Sequence, residues 1–293
     1  MNSVMPVIFG EVLFDQFPDG TKHLGGAAFN VAWHLQAFDD QPLLLSSIGD
    51  DDNGQEIVHA MQRWGMEVQG LQRNTQCATG QVNVSFSEGG EPAYVIATNS
   101  AYDNIGVEAL PDLSQATLLY HGTLALRSQV SRCTLDQLLS RQALPLFLDV
   151  NLRAPWYQIE DVRGWLQRAR WVKLNQHELL ELAPAGDNLQ QRIEALQQQS
   201  GIELLVVTLG ERGAIARHRD AQQWQVAPSA STTVVDTVGA GDAFTARLIH
   251  GVLHHEDIGE ALIAAQAFAS RIVALRGAVP LSKDFYSVAD ESA

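Results

Sequence analysis

The chain has 293 residues, 46% of them hydrophobic, which is enough to bury a sizeable core as one large domain or two small ones. Its 19 basic and 34 acidic residues give a formal net charge of -15, which argues against general nucleic-acid or anionic-membrane binding, since both need a basic patch. An anionic substrate must therefore be met by a few local basic groups or by backbone amides.

The first ten residues, MNSVMPVIFG, carry no Lys or Arg before a short apolar run and do not read as a signal peptide. Apolar runs then predict strands at residues 7–14, 42–48, 118–124, 144–150, 170–174 and 202–209. Segments of helical period lie between them at 27–37, 55–64, 131–139, 162–169 and 189–199. This alternation implies βαβ units and a mostly parallel sheet with helices on both faces. Residues 82–87 break the pattern. Val82, Val84 and Phe86 alternate with Asn83, Ser85 and Ser87, and Glu88-Gly89-Gly90 turns the chain into 94–97. That is a hairpin with one wet face, either an edge of the main sheet or a small flap over a site. Near the C-terminus, Phe244, Leu248, Ile249, Val252 and Leu253 form one apolar stripe over 242–253. The Ala-rich stretch 260–275 reads as a buried helix that Gly277 ends. His250, His254 and His255 share helical spacing, but by residue type alone they read as a solvated helix end.

No stretch approaches ~18 uninterrupted apolar residues, so no membrane span is expected. Cys77 and Cys133 are the only cysteines, giving neither a disulfide framework nor a paired-cysteine metal motif. The expected setting is a reducing one, the cytoplasm.

The chemistry concentrates in the turn Val238-Gly239-Ala240-Gly241-Asp242-Ala243-Phe244. It is not a phosphate loop of the Gly-Lys-Ser/Thr type, because no Gly-Lys pair occurs in the chain. Nor is it a dinucleotide fingerprint, because Phe244 stands where the third glycine belongs. What remains is a turn whose backbone N–H groups, from Gly239 to Asp242, can hold negative charge at a helix mouth. A carboxylate there is poorly suited to bind phosphate. It is suited to take the proton of a hydroxyl that attacks one, or simply to cap the helix, and the local pattern leaves both open.

Two signatures at opposite ends of the chain, Leu24-Gly25-Gly26-Ala27-Ala28-Phe29-Asn30 and the GAGD turn, together resemble those of the ribokinase-like (PfkB) carbohydrate kinases. Gly10-Glu11…Asp15, Asp149-Val150-Asn151-Leu152-Arg153 and Lys173-Leu174-Asn175-Gln176-His177-Glu178 extend the likeness over essentially the whole chain. The resemblance implies a single α/β domain over residues 1–293, a ribokinase-like three-layer sandwich. It also implies a small β lid from segments near 11–23 and 80–98. The lid would close alone over the sugar or pair with its copy in a homodimer. The partners implied are a small sugar and ATP, with Mg²⁺ and, in some members, K⁺.

Carried over by position, the resemblance makes Asp242 the general base, with Gly239, Ala240 and Gly241 as the anion hole. Asp15, Gly25, Gly26 and Asn30 would hold sugar hydroxyls, joined by Asn151 and Arg153. Asn175 and Glu178 would position Mg²⁺ largely through water, although Asn followed three residues later by Glu is also a capping box. Lys173, Thr208, Gly210, Gly213 and Gln266 would lie beside the nucleotide, and Asp236 at a monovalent-cation position. The DxNxR element resembles both fructokinases and 2-keto-3-deoxygluconate kinases, where the arginine can meet a carboxylate. The opening GEVLFD and the Ala101–Ile105 segment favour fructose, with an acidic keto-sugar second. A sugar-binding sensor without catalysis would be marked by loss of the base, yet Asp242 is present.

Overall fold

The computed structural model describes residues 4–86, 92–228 and 234–287; the Glu88-Gly89-Gly90 turn lies outside them. In chain order the strands are β1 (Met5–Phe9), β2 (Leu13–Gln16), β3 (Lys22–Gly25), β4 (Leu43–Gly49), β5 (Leu71–Asn74), β6 (Gly80–Phe86), β7 (Pro92–Ile96), β8 (Ala116–His121), β9 (Leu146–Asp149), β10 (Trp171–Asn175), β11 (Leu204–Thr208), β12 (Ala214–His218) and β13 (Gln223–Val226). The helices are α1 (Ala27–Ala37), α2 (Asp52–Trp64), α3 (Gln129–Arg141), α4 (Ile159–Arg168), α5 (Gln176–Leu182), α6 (Leu189–Ser200), α7 (Ala240–Leu253), α8 (Ile258–Ile272) and the short α9 (Asp284–Ser287).

Among the described residues, nine strands form one sheet in the order β13-β12-β11-β10-β9-β8-β1-β4-β5. Its strands run parallel from β5 through to β11, and β12 and β13 add on antiparallel. Successive side chains of each strand face opposite layers. Ile8, Leu44, Tyr120 and Val206 pack with Phe29 and Val31 of α1, Ile57 of α2, Leu248 of α7 and Leu262 of α8. Val7, Phe9, Leu45, Leu119 and Val207 pack with Leu135 of α3, Val162 of α4, Leu179 of α5 and Ile193 of α6. The result is the three-layer α/β arrangement that the alternation predicts.

Helix boundaries follow local chemistry. Asp51, Asn188 and Asp257 accept N–H bonds in the first turns of α2, α6 and α8, and Gly65 and Gly201 end α2 and α6 in the left-handed region. Two expectations change. The strand expected over 7–14 breaks at Gly10, where an added Cβ would meet Ala28 Cβ at 2.7 Å; β1 enters the main sheet and β2 leaves for another. The helix expected to reach Gly277 stops at Ile272. The Val273 carbonyl turns instead to the N–H groups of Val235 (2.7 Å) and Asp236 (3.1 Å).

The second sheet has the order β3-β2-β6-β7. The hairpin of β6 and β7 therefore belongs to this sheet and not to an edge of the main one. Its face is one-sidedly wet, with Val82 and Val84 buried and Asn83 and Ser85 exposed.

Candidate active site

The C-terminal ends of the parallel strands gather Gly10, Asp149, Asn175 and Thr208 along one edge of the main sheet, the edge where such folds hold ligands. The small sheet contributes Asp15 on β2 and Gly25 at the end of β3. The helices α1 and α7 contribute Asn30 and Asp242.

Asp242 sits in the first turn of α7, three residues after the left-handed Gly239 (φ 79), and it does not cap the helix. Its Oδ2 accepts a hydrogen bond from Asn30 Nδ2 at 2.7 Å, a contact across 212 residues of sequence. Burial pushes its carboxyl above the usual aspartate range, against the Asn30 hydrogen bond; nearby Asp149 adds to the rise and Lys173 and Arg153 oppose it. Gly25 packs between two of the predicted residues. A Cβ added there would stand 3.6 Å from Asp15 Oδ2 and 3.8 Å from Asn30 Oδ1. Gly26 (φ 105) cannot take a side chain, because its Cβ would lie 2.8 Å from the Glu11 carbonyl. Burial raises Asp15 to about 6, with His23 and Arg153 pulling the other way.

Glu11 is a residue the sequence reading quoted but did not place in the site. Its Oε1 accepts the Ala27 N–H (3.0 Å), doing for α1 what the Gly26 N-cap cannot. Its Oε2, Asn30 Oδ1 and the Tyr120 hydroxyl are buried polar atoms without a protein partner, and Tyr120 feels the charges of Glu11, Asp242 and Arg153. Such a group of unmatched donors and acceptors fits a polyol. Only the periodicity of β8 and the Gly-Glu pair hinted at these residues. Burial raises Glu11 to about 7, offset in part by backbone hydrogen bonding and by Arg153. A carboxyl with a raised folded-state pKa holds its proton more tightly in the folded chain. Stability is therefore lost as pH climbs from about 4.5 to about 7, roughly 3 kcal/mol for this shift. Glu11→Gln should accordingly raise Tm relative to the parent more at pH 8 than at pH 5. An equal difference in thermal melts at the two pH values would mean that Glu11 titrates normally.

Beneath the α7 turn, Lys173 Nζ lies 3.3 Å from the position of a Gly241 Cβ and 3.1 Å from both oxygens of the fully buried Asp149. Asp149 also accepts from Thr245 Oγ1 at 2.8 Å. Burial alone would lower the Lys173 ammonium, but Asp149, Glu178 and Asp242 outweigh it and hold the pKa above the usual lysine range. The lysine is thus a fixed charge under the turn. The N–H groups of the turn are not all spare, since Ala240 donates to Thr237 O at 3.4 Å.

Asn175 and Glu178 form the capping box. Asn175 Oδ1 accepts the Glu178 N–H (3.0 Å) and Glu178 Oε2 accepts the Asn175 N–H (2.7 Å). Glu178 Oε1 accepts from Leu152 N–H at 2.8 Å. Both oxygens hold backbone, so this carboxylate fits a hydrated Mg²⁺ reached through water better than a bare ion. Thr208 pairs with Asn175 in the sheet. Gly213 (φ 85) is required by β13, because its Cβ would collide with the Val226 carbonyl; Gly210 (φ 62) opens the same turn. Gln266 does not join the cluster; its amide donates to Ser270 Oγ along α8 at 3.3 Å. Asp236 ties the approach to the turn, accepting from Val238 N–H (3.0 Å) and Gly277 N–H (3.1 Å). Asn151 takes φ 38, and its carbonyl accepts from Thr123. Arg153 is exposed, within electrostatic reach of Glu11, Asp15 and Asp242.

A parallel sheet with a buried carboxylate beside a glycine turn at a helix mouth, close to unmatched buried donors and acceptors, is an arrangement suited to phosphoryl transfer to a small molecule. The sequence model of the pfkB family carbohydrate kinases matches residues 8–284, and the chain belongs to that family. It is 28% identical over 261 residues to the fructokinase of Klebsiella pneumoniae, covering 85% of this chain and 84% of that protein. Its fold is similar to a Vibrio cholerae O395 fructokinase solved with fructose, ADP and calcium (TM-score 0.83, 22% identity, 97% and 98% of the two chains). It is also similar to the aminoimidazole riboside kinase of Salmonella enterica, solved with aminoimidazole riboside and an ATP analogue (TM-score 0.81, 20% identity, 97% and 99%). The protein is a carbohydrate kinase.

Proposed function

We propose that this kinase transfers the γ-phosphoryl group of ATP to a hydroxyl of fructose, with Asp242 as general base. The observation that carries this reading is the placement of Asp242, free of any capping role and held by Asn30, whose amide oxygen lies beside Gly25. The sugar hydroxyl gives its proton to an Asp242 oxygen as its own oxygen bonds to phosphorus, and the bond from phosphorus to the ADP oxygen breaks. Backbone N–H groups of the Gly239–Asp242 turn, over the Lys173 charge, hold the phosphoryl oxygens. Asp15, Asn30 and the Gly25-Gly26 backbone orient the sugar. Asn175 and Glu178 would hold water of a Mg²⁺ ion, which supplies charge neutralisation at the phosphates. Thr208, Gly210 and Gly213 border the nucleotide, and Asp236 offers a position for a monovalent cation such as K⁺.

A panel of sugars assayed with ATP and Mg²⁺ tests the substrate. Fructose should be turned over best, and an inert fructose beside an active acidic sugar would replace it with the second reading. That second reading rests on the exposed Arg153 guanidinium, a bidentate partner for a carboxylate. Arg153→Ala should slow all sugars, neutral and acidic, alike; a much larger loss for an acidic keto-sugar than for fructose would favour the acidic substrate.

The small sheet of β2, β3, β6 and β7 serves in this reading as a lid, since it carries Asp15 and Gly25 into the pocket. Amide exchange in β6 and β7 should slow when sugar and nucleotide are added together. Equal exchange with and without them would count against closure.

A further inference from the structure

Far from this pocket, a second group of side chains comes together. Asp40 follows α1 and is fully buried, with Asp39 (φ 63) and Gln41 (φ 48) in the left-handed region on either side. His250 in the last turn of α7 and His254 just beyond it lie one helical turn apart. Asp40 Oδ2 is 2.8 Å from His250 Nδ1, and Asp40 Oδ1 is 2.7 Å from His254 Nε2. The helix end is solvated at His254 and His255, as residue type suggests, yet His250 and His254 also face a buried carboxylate.

We propose that Asp40, His250 and His254 form a binding site for one divalent cation of the zinc class. The three ligand atoms all lie within 4.8 Å of one another. Tetrahedral Zn²⁺ with bonds of about 2.0–2.1 Å sets its ligands about 3.3 Å apart, so on entry of the ion the short Asp40–histidine contacts open slightly and the wider separations close toward that spacing. The two imidazoles are borderline nitrogen donors that suit Zn²⁺ and its neighbours rather than Mg²⁺, and zinc also accepts a carboxylate oxygen as third ligand. A fully buried carboxylate also gains from a positive partner, and the side-chain hydrogen bonds of Asp40 among the described residues are with these two imidazoles.

The surroundings support ligation by His250 Nδ1. Coordination there leaves the ring proton on Nε2, which lies 3.9 Å from Glu256 Oε1, and Glu256 is held by Arg247 at 2.9 Å. At that separation the carboxylate is not hydrogen-bonded to the ring; it favours a proton on Nε2 by its charge, and a small side-chain shift would let it hold that proton. The site is separate from the Asp242 cluster, because His250 stands eight residues, about 12 Å, along α7 from Asp242, and its three residues leave the fourth tetrahedral position to water. The helices α1 and α7 are already bonded near their starts by Asn30 and Asp242. The ion joins the ends of the same two helices.

The test uses the full chain stripped of metal by chelation. Zn²⁺ titrated by calorimetry should bind at one equivalent, and at a hundredfold excess over Kd should raise Tm by several degrees, while Mg²⁺ should do neither at this site. Cobalt(II) should give the visible absorption of a site with nitrogen ligands. Asp40→Asn and the double variant His250→Gln/His254→Gln should each weaken zinc binding at least tenfold. Should Asp40→Asn fail to fold, His254→Gln alters a partly exposed side chain and decides alone by the same tenfold criterion. Absence of zinc uptake by the parent chain, or uptake undiminished in the histidine variants because the ion sits on other histidines or on Cys77 or Cys133, overturns the proposal.

Discussion

Replacing Asp242 with Asn should reduce kcat by about 10²–10⁴-fold while leaving the protein at least as stable as the parent. The two halves of this expectation rest on separate observations. Asn keeps the size of the side chain and can still bond Asn30 through its amide oxygen, but it cannot accept the proton of an attacking hydroxyl. The helix loses no cap, because the N-cap of α7 is Gly239 and Asp242 makes no capping bond. Burial already disfavours the ionised carboxylate, as its raised pKa indicates, so a neutral isostere removes an unfavourable charge. Turnover and melting temperature should be measured on the same preparation. A variant with near-normal turnover would show that the carboxylate is not the base.

Lys173→Met should behave in the opposite way, costing stability first. Lys173 and Asp149 are both buried, with side-chain exposures of 8% and 0%. Removing the ammonium strands the Asp149 charge with Thr245 as its remaining hydrogen-bond donor, a loss of about 3–5 kcal/mol. For a chain of this size that corresponds to a fall in Tm on the order of 10 °C. The double variant Lys173→Met/Asp149→Asn should recover much of it, because the charge that lost its partner is gone. A single variant melting with the parent would mean that the pair contributes little to holding β9 and β10 together. Activity should fall in both variants, since the positive charge under Gly241 is absent from each.

Much of this architecture was legible in the sequence because it depends on local pattern. The alternation of apolar runs with helical periods sufficed for the parallel sheet, and the runs at 144–150, 170–174 and 202–209 became β9, β10 and β11. The Asn175–Glu178 spacing carried its capping box in four residues. The two glycine motifs and their acids were visible because their spacing is local and their chemistry unusual. The strand break at Gly10 was not legible, since it arises from the approach of Ala28, a contact that exists only after α1 packs. The early end of α8 was missed for a similar reason: the Val273 carbonyl is claimed by Val235 and Asp236, more than 35 residues earlier in the chain.

Sequence by itself therefore determined the layer order, the glycine turn and the identity of the acids, all set by residue type and short spacing. Tertiary structure decided which of those acids are unusual. Asp242 is held by Asn30 across 212 residues, Glu11 becomes a buried acid that bonds the first turn of α1, and Asp40 meets two histidines from the other end of the chain. Burial and charge proximity are properties of the packed state, and they decide whether a carboxylate is an ordinary surface group, a base or a ligand.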